Sequence, residues 1–155
     1  IETTRDIARQ ILRHRSFSFQ EFSQRYADPT KDLSFEAREA RLQDPKNRQN
    51  SIELSEDNRR LNEEFRMKQH ALWRQAQETY KWAISKGIAK EQARVVLPEG
   101  MTISRLYMNG TLRSWVHYID LRSANGTQKE HQDIAIACAN EIAKIFPLMK
   151  DISNV

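Results

Sequence analysis

The sequence predicts a mainly helical chain with a few short strands. Three observations carry that expectation: apolar residues recur at helical spacing in several segments, helix-opening signatures precede several of them, and alternating patterns are confined to two short stretches. No internal repeat or low-complexity tract interrupts the pattern, and the length of 155 residues suits one domain.

Taken in order, Thr3 and Asp6 stand at capping-box spacing, and Ile7, Ile11 and Leu12 follow on one helical face. A helix is therefore expected over 4–14. Ser16 to Phe19 alternates, with Phe17 and Phe19 against Ser16 and Ser18, which predicts a short extended segment. Asp28 to Asn50 carries Pro29, Pro45 and scattered charge, and reads as a long surface connection. Ser55 is placed to cap a long helix with a stripe of Leu61, Phe65, Leu72, Ala76 and Ala83, closed by Gly87. A short helix over 89–96 must stop before Pro98. A strand over 102–108 leads into an Asn109-Gly110 turn. Thr111 then caps a helix with Leu112, Trp115, Val116 and Ile119 on its apolar face. The run from Thr127 to Glu130 is a capping box for a last helix lined by Ile134, Cys138, Ile142 and Phe146.

The composition narrows the function. Charged residues make up 30% and the hydrophobic set 39%, polar for this length, so part of the burial is expected at a subunit interface. A formal charge of +4 and a pI near 9.3 suit an anionic partner without separating nucleic acid from nucleotide or phosphate. The single cysteine, Cys138, rules out an internal disulfide and reads as a core thiol. His14, His70, His117 and His131 have no metal-binding spacing, so no metal is expected. No apolar run is long enough for a membrane span and no signal sequence is visible, so a cytoplasmic protein without membrane contact is the expectation.

Neither GxGxxG nor GxxxxGK[ST] occurs, so any phosphate here must be held by side-chain cations. Arg13-His14-Arg15 is the densest basic cluster, with Gln10 on the same helical face and Glu21, Ser23 and Arg25 beyond a spacer. Such donors suit phosphate oxygens and heterocycle edges. Equally, three basic residues at a helix end complement its dipole with no ligand at all. Arg94, Arg113 and Arg122 are further cations of interest, and His117 shares a face with Arg113.

The ordered motifs resemble those of the flavin-dependent thymidylate synthases, the ThyX family. Arg13-His14-Arg15, seven residues, then Ser23 is similar to that family's RHR-x7-S signature. Gln10 to Arg13 resembles its Q-x-x-R, and Glu21 to Tyr26 its E-x-S-x-R-Y. Gly87-Ile88, Glu91, Ala93-Arg94 and Leu97-Pro98 resemble a third block. Gly110 to Arg113, His117, Asp120 to Arg122, Gln128 and Glu130 resemble a fourth.

The resemblance implies an α+β fold of which this portion is mainly helical, and an FAD enzyme converting dUMP to dTMP with methylenetetrahydrofolate and NADPH as co-substrates. It implies that Gln10, Arg13, Glu21, Phe22, Ser23, Gln24, Arg25, Arg94 and Arg122 line the dUMP site. Arg122 in particular would favour ionisation at N3 of the uracil. Arg13, His14, Arg15, Glu21, Thr111, Leu112, Arg113 and His117 would contact FAD. Thr111 stands where the family usually has Asn, and Asn109 is the alternative there. The reduced flavin makes an enzyme cysteine unnecessary. The implied assembly is a homotetramer with shared active sites, and the implied partners are dUMP and folate, with no nucleic acid. The whole of 1–155 would form one synthase domain. The chain opens on Ile1 and is expected to lack an N-terminal segment of the family; its 28–50 stretch, with Lys46 to Gln49, looks closest to viral members. The reading from a different class is a basic helical nucleic-acid-binding module using Arg13 to Arg15 and Arg59-Arg60, which predicts steeply salt-dependent binding. A plain oligomerisation domain is a third.

Overall fold

The computed structural model describes residues 1–25, 28, 31 and 35–149. Its centre is β5 (Ile103–Asn109), the middle strand of a three-stranded antiparallel sheet in the order β1-β5-β2. β1 (Glu2–Thr4) pairs with the first half of β5, Glu2 opposite Arg105 and Thr4 opposite Ile103. β2 (Ser18–Glu21) pairs with the second half, Ser18 opposite Asn109 and Glu21 opposite Leu106. α1 (Arg5–Ile11) links those two edges and buries Ile7, Ala8 and Ile11 with Leu106 of the central strand. The chain leaves α1 by tight turns, with His14 N–H donating to the Ile11 carbonyl. This ends the helix short of the expected His14.

α2 (Arg59–Ser85) follows a 3-10 turn at Glu56–Asn58, and Gly87 at φ 77° ends it in the left-handed conformation glycine adopts freely. Its buried face is Gln69, Trp73, Ala76, Tyr80 and Ala83. Trp73, Tyr80 and Ala83 meet Ala93 of α3 (Lys90–Ala93) together with Leu97 and Met101. The expected stripe is thus right at Ala76 and Ala83 and wrong at Leu61, Phe65 and Leu72, which are exposed. At about 100° per residue, these last three centre about 60° round the helix from the face that found partners.

α4 (Leu112–Ser123) and α5 (Lys129–Ala143) pack on each other, burying Tyr118 and Ile119 against Ala135, Ala139 and Ala143, with Phe17 in the same cluster. Three alanines four residues apart form a low ridge that admits the large side chains of α4. The expected lining of α5 is therefore displaced. Ile134, Cys138 and Ile142 are only partly buried and Phe146 is exposed, as is Leu112 on α4.

Two other expectations are corrected. The 28–50 stretch is not simply a connection: β3 (Arg41–Gln43) pairs with β4 (Ser51–Glu53) as a hairpin, and Phe35 bridges to Thr102 and stacks on Trp73. Positions 29, 30 and 32–34 of that stretch lie outside the described residues, as does Tyr26. The capping boxes do not form. Thr4 is the N-cap of α1 and its hydroxyl donates to Asp6, while Gln128 caps α5 with no side-chain bond and Glu130 pairs with Arg41. Only Thr111 behaves as its position promised, accepting from the Ser114 N–H at 3.3 Å. The mixture of helices and antiparallel strands agrees with the α+β expectation. No helix among the described residues is long and apolar enough to cross a membrane.

Candidate active site

The end of α1, the inner face of α4 and the first turn of α5 converge on a cluster of hydrogen-bonded polar groups. His14 follows α1 and lies edge-on to Tyr118, their ring centroids 4.9 Å apart. Arg122, one turn beyond Tyr118, donates Nε–H to His14 Nε2 at 2.9 Å. Burial, then the Arg122 guanidinium and then His117 lower the His14 pKa from its ordinary value, which keeps the ring neutral at pH 7 and its Nε2 lone pair available. Arg122 is thereby held at one nitrogen, and its outer edge with both terminal NH2 groups is left to meet a planar partner in bidentate fashion.

Behind them His131, fully buried, places Nε2 3.1 Å from the Tyr118 hydroxyl and Nδ1 3.3 Å from Gln10 Oε1. Gln10 Nε2 in turn donates to Gln128 Oε1 at 2.8 Å. Burial, then Arg122 and His14, lower the His131 pKa to about 4. Burial also raises that of Tyr118, so both stay neutral at ordinary pH.

A second group lies around a cavity of about 360 Å³ lined by Arg5, Arg9, Gln24, Glu91, Arg94, Val95, Leu97 and Glu99. Gln24 is 3% exposed and its Nε2, itself buried, has no hydrogen-bond partner. An orphaned buried donor is costly unless a ligand or solvent supplies an acceptor. Arg94 donates Nε–H to the Glu91 carbonyl at 3.3 Å, again leaving its terminal nitrogens to face other partners. Arg9 is bonded to Glu99, Arg5 lies 3.5 Å from Glu21, and Arg25 reaches Glu91 at 3.3 Å. Glu21 also accepts from Ser104 Oγ at 2.8 Å, and Ser23 Oγ accepts from the Arg25 N–H at 3.4 Å. The Phe22 N–H continues the sheet by donating to the Arg105 carbonyl.

The predicted residues thus separate into three places. Gln10, His14 and Arg122 belong to the helical cluster. Gln24 and Arg94 line the cavity, with Glu21, Phe22, Ser23 and Arg25 on the strand and turn beside it. Arg13, Arg15, Thr111, Leu112, Arg113 and His117 are exposed. Sequence reasoning missed Tyr118, His131, Arg5 and Arg9 as site residues. Tyr118 adjoined a recognised apolar stripe, and His131 opens an i, i+4 series with Ala135, Ala139 and Ala143. Among the described residues no group of three or more His, Cys, Asp or Glu could hold a metal ion. Cys138 is partly buried and its burial pushes the thiol up to about 11, which makes it unreactive at neutral pH.

Comparison with known proteins adds an independent finding. The family described as "Thymidylate synthase complementing protein" matches residues 1–148. A flavin-dependent thymidylate synthase of Synechocystis is 50% identical over 147 residues, covering 95% of this chain and 66% of the relative. A probable flavin-dependent thymidylate synthase of Paramecium bursaria Chlorella virus 1 is 49% identical over 148 residues, with the same coverage. The chain therefore spans just under two thirds of either relative. The crystal structure of a UMP/dUMP methylase, PolB from Streptomyces cacaoi, bound with 5-Br dUMP, superposes with a TM-score of 0.76 at 26% identity, covering 97% of this chain and 68% of that one.

Proposed function

The chain belongs to the thymidylate synthase complementing protein family, whose matching relatives are flavin-dependent thymidylate synthases, and from that premise we propose that it takes part in the reductive methylation of dUMP to dTMP. The observation that carries the proposal is the cavity lined by Arg5, Arg9 and Arg94, with Gln24, whose Nε2 is buried without a hydrogen-bond partner, also on its wall. That cavity suits the phosphate end of a nucleotide: Arg94 and its neighbours supply charge-assisted donors, and the Gln24 amide supplies a neutral one. The PolB structure, bound with a dUMP analogue, supports the same substrate class.

Arg122 is the residue we assign to the uracil. With Nε held by neutral His14, its outer edge meets O2 and N3 of the base and stabilises negative charge at N3, so that C5 becomes the nucleophilic carbon. Gln10, Arg13, Glu21, Phe22, Ser23 and Arg25 frame the remainder of the nucleotide. Arg122 and Arg94 stand in different clusters of one chain. This supports a shared site in which a second copy completes the pocket, and the exposed Leu61, Phe65, Leu72 and Trp82 of α2 offer apolar surface for such a homotetramer.

For the flavin, the fit rests on the exposed cations after α1 and along α4. Arg13, Arg15, Arg113 and His117, with Thr111 and Leu112 at the start of α4, form a donor set for a pyrophosphate-bearing dinucleotide in a chain without a glycine-rich cradle. Bound FAD, reduced by NADPH, supplies the carrier of the one-carbon unit from methylenetetrahydrofolate and of the hydride, which is why no enzyme thiol is required. This chain's own part is to bind, orient and exclude water. We assign residues 1–155 to one synthase domain acting in the cytoplasm; the nucleic-acid-binding alternative finds no support among these relatives.

The test is an absorbance and fluorescence titration of the chain with FAD, repeated with dUMP. Saturable flavin binding perturbed by dUMP is the expected result. Absence of both, in this chain and in one extended to the full length of its relatives, would refute the proposal.

A further inference from the structure

The cavity that Gln24 lines has a larger neighbour. Residues 97–100 alternate between the two: Leu97 and Glu99 line the first, Pro98 and Gly100 the second. The second holds about 600 Å³, within the range of roughly 300–1,000 Å³ usual for small-molecule sites. One of its walls is the β3–β4 hairpin, including Arg48 and Gln49 of the 28–50 stretch, to which the function above assigns no role. The hairpin is clamped on the first turn of α5 by the Arg41–Glu130 and Lys129–Glu53 ion pairs. Its loop is tied within itself: Asp44 accepts from the N–H groups of Lys46 and Asn47 at 2.8 and 3.1 Å and from Asn50 Nδ2 at 3.0 Å. Arg48 is thus carried on a fixed backbone.

The lining offers more donors than the chain's own acceptors take up. Arg38 gives one terminal nitrogen to Thr4 and Asp6 and leaves its Nε buried without a partner. Arg41 meets Glu130 through one nitrogen. Arg48 makes no hydrogen bond or ion pair with the other described residues, and neither does the amide nitrogen of Gln128. Three lining guanidinium groups stand against one lining carboxylate, Glu39, while Phe65 and Met101 add apolar surface. Such a wall suits an organic anion.

We propose that this cavity is the subsite for the anionic tail of a co-substrate, either the phosphates of the nicotinamide dinucleotide or the glutamate carboxylates of the folate, with Arg48 as its recognition residue. The inference deepens the functional reading above and rests on it. Its position ties it to that site: the 97–100 segment is common to both cavities, and Gln128 accepts from Gln10 Nε2 at 2.8 Å. The reaction read above needs more than one anion bound at once. Arg5, Arg9 and Arg94 serve one cavity and Arg38, Arg41 and Arg48 the other, so two like-charged ligands are held without sharing counter-charges. The flavin's cations, Arg13, Arg15 and Arg113, belong to neither set.

The experiment measures dissociation constants calorimetrically on the full chain for dUMP, FAD, NADPH and the mono- and triglutamate forms of methylenetetrahydrofolate. The proteins are the wild type, Arg48→Ala, Arg48→Glu and Arg48→Lys. Arg48→Ala should weaken one co-substrate by about tenfold, the size of one charge-assisted contact. Arg48→Glu should weaken it further and Arg48→Lys much less, with dUMP and FAD unchanged throughout. A loss for NADPH alone identifies the dinucleotide; a loss that grows from the monoglutamate to the triglutamate identifies the folate tail. Co-substrate affinities unmoved by Arg48→Glu overturn the inference, and so does an equal loss of FAD, which would place the flavin there instead. A wild type that binds dUMP but neither co-substrate overturns the inference alone. One that fails to bind dUMP refutes the functional reading itself, a result seen without any variant.

Discussion

Lowering the pH should destabilise this fold through His131 well before its carboxylates are titrated. In the unfolded chain this histidine titrates near its ordinary value of about 6.5. In the fold it titrates at about 4, chiefly through burial and then through Arg122 of α4 and His14 beyond α1. Between those values the unfolded state binds a proton that the folded state refuses, so stability rises with pH across the window and is lost as pH falls through it. At about 1.4 kcal/mol per pH unit, moving from pH 7 to pH 5 removes about 2 kcal/mol, and continuing to pH 4 approaches about 3. His14, whose pKa is lowered for the same leading reason, acts in the same direction. Urea unfolding followed by tryptophan fluorescence at half-unit steps from pH 7.5 to 4.5 measures the slope. His131→Asn removes the titrating group and should flatten the curve by about the His131 share, even if its absolute stability is lower at pH 7. Equal slopes for the two proteins, or a wild-type curve level down to pH 5, would refute the claim that His131 is neutral in the fold.

Other perturbations read other parts of the structure. Gly110→Ala places a methyl 2.5 Å from the Phe17 ring, itself packed in the core between Trp115 and Tyr118, and should cost about 1–3 kcal/mol in a thermal or urea melt. Gln69 satisfies both the N–H and the carbonyl of Arg38, so Gln69→Leu strands a backbone pair and should cost about 1–3 kcal/mol without altering nucleotide binding. Arg94→Ala should weaken dUMP binding by about ten- to a hundredfold, the range for one charge-assisted contact, with flavin binding preserved. Arg122→Ala should abolish dUMP-dependent dTMP formation while FAD remains bound; retained turnover would remove Arg122 from the uracil.

What could be read from the sequence follows from how local each feature is. Gly87 and Pro98 bound their helices because φ and missing N–H groups are properties of the residue itself. The Thr111 cap formed because its acceptor and donor lie within one turn. The two other capping signatures failed where a distant partner competed. Asp6 was drawn to Arg38 and Glu130 to Arg41, ion pairs closed across 32 and 89 residues that no local pattern announces. On α2 the sequence offers apolar residues on two adjoining faces, and only contact with α3 decides that Trp73 and Tyr80 go inward while Leu61, Phe65 and Leu72 stay out.

The same logic explains why His131 escaped notice although it lies at the centre of the helical cluster. Periodicity assigns the inner face of α5 to its large apolar residues, Ile134, Cys138 and Ile142. The fold instead buries the face made of Ala135, Ala139 and Ala143, because α4 brings the bulk in Tyr118 and Ile119. Continuing the alanine face one turn towards the N-terminus reaches position 131, which must then be buried too. A histidine there is tolerable only if both nitrogens find partners, and Tyr118 and Gln10 are the two that do. Gln10 is also one of the motif positions that marked the first helix as a nucleotide-site candidate. The packing of two alanine-poor and alanine-rich helix faces, a matter of volume alone, thus delivers a buried imidazole to the back of a residue assigned to the substrate. Replacing Ala135 by leucine should therefore disturb Gln10 indirectly, by displacing Tyr118 from His131, and would show in the His131 ring resonances before it showed in the secondary structure.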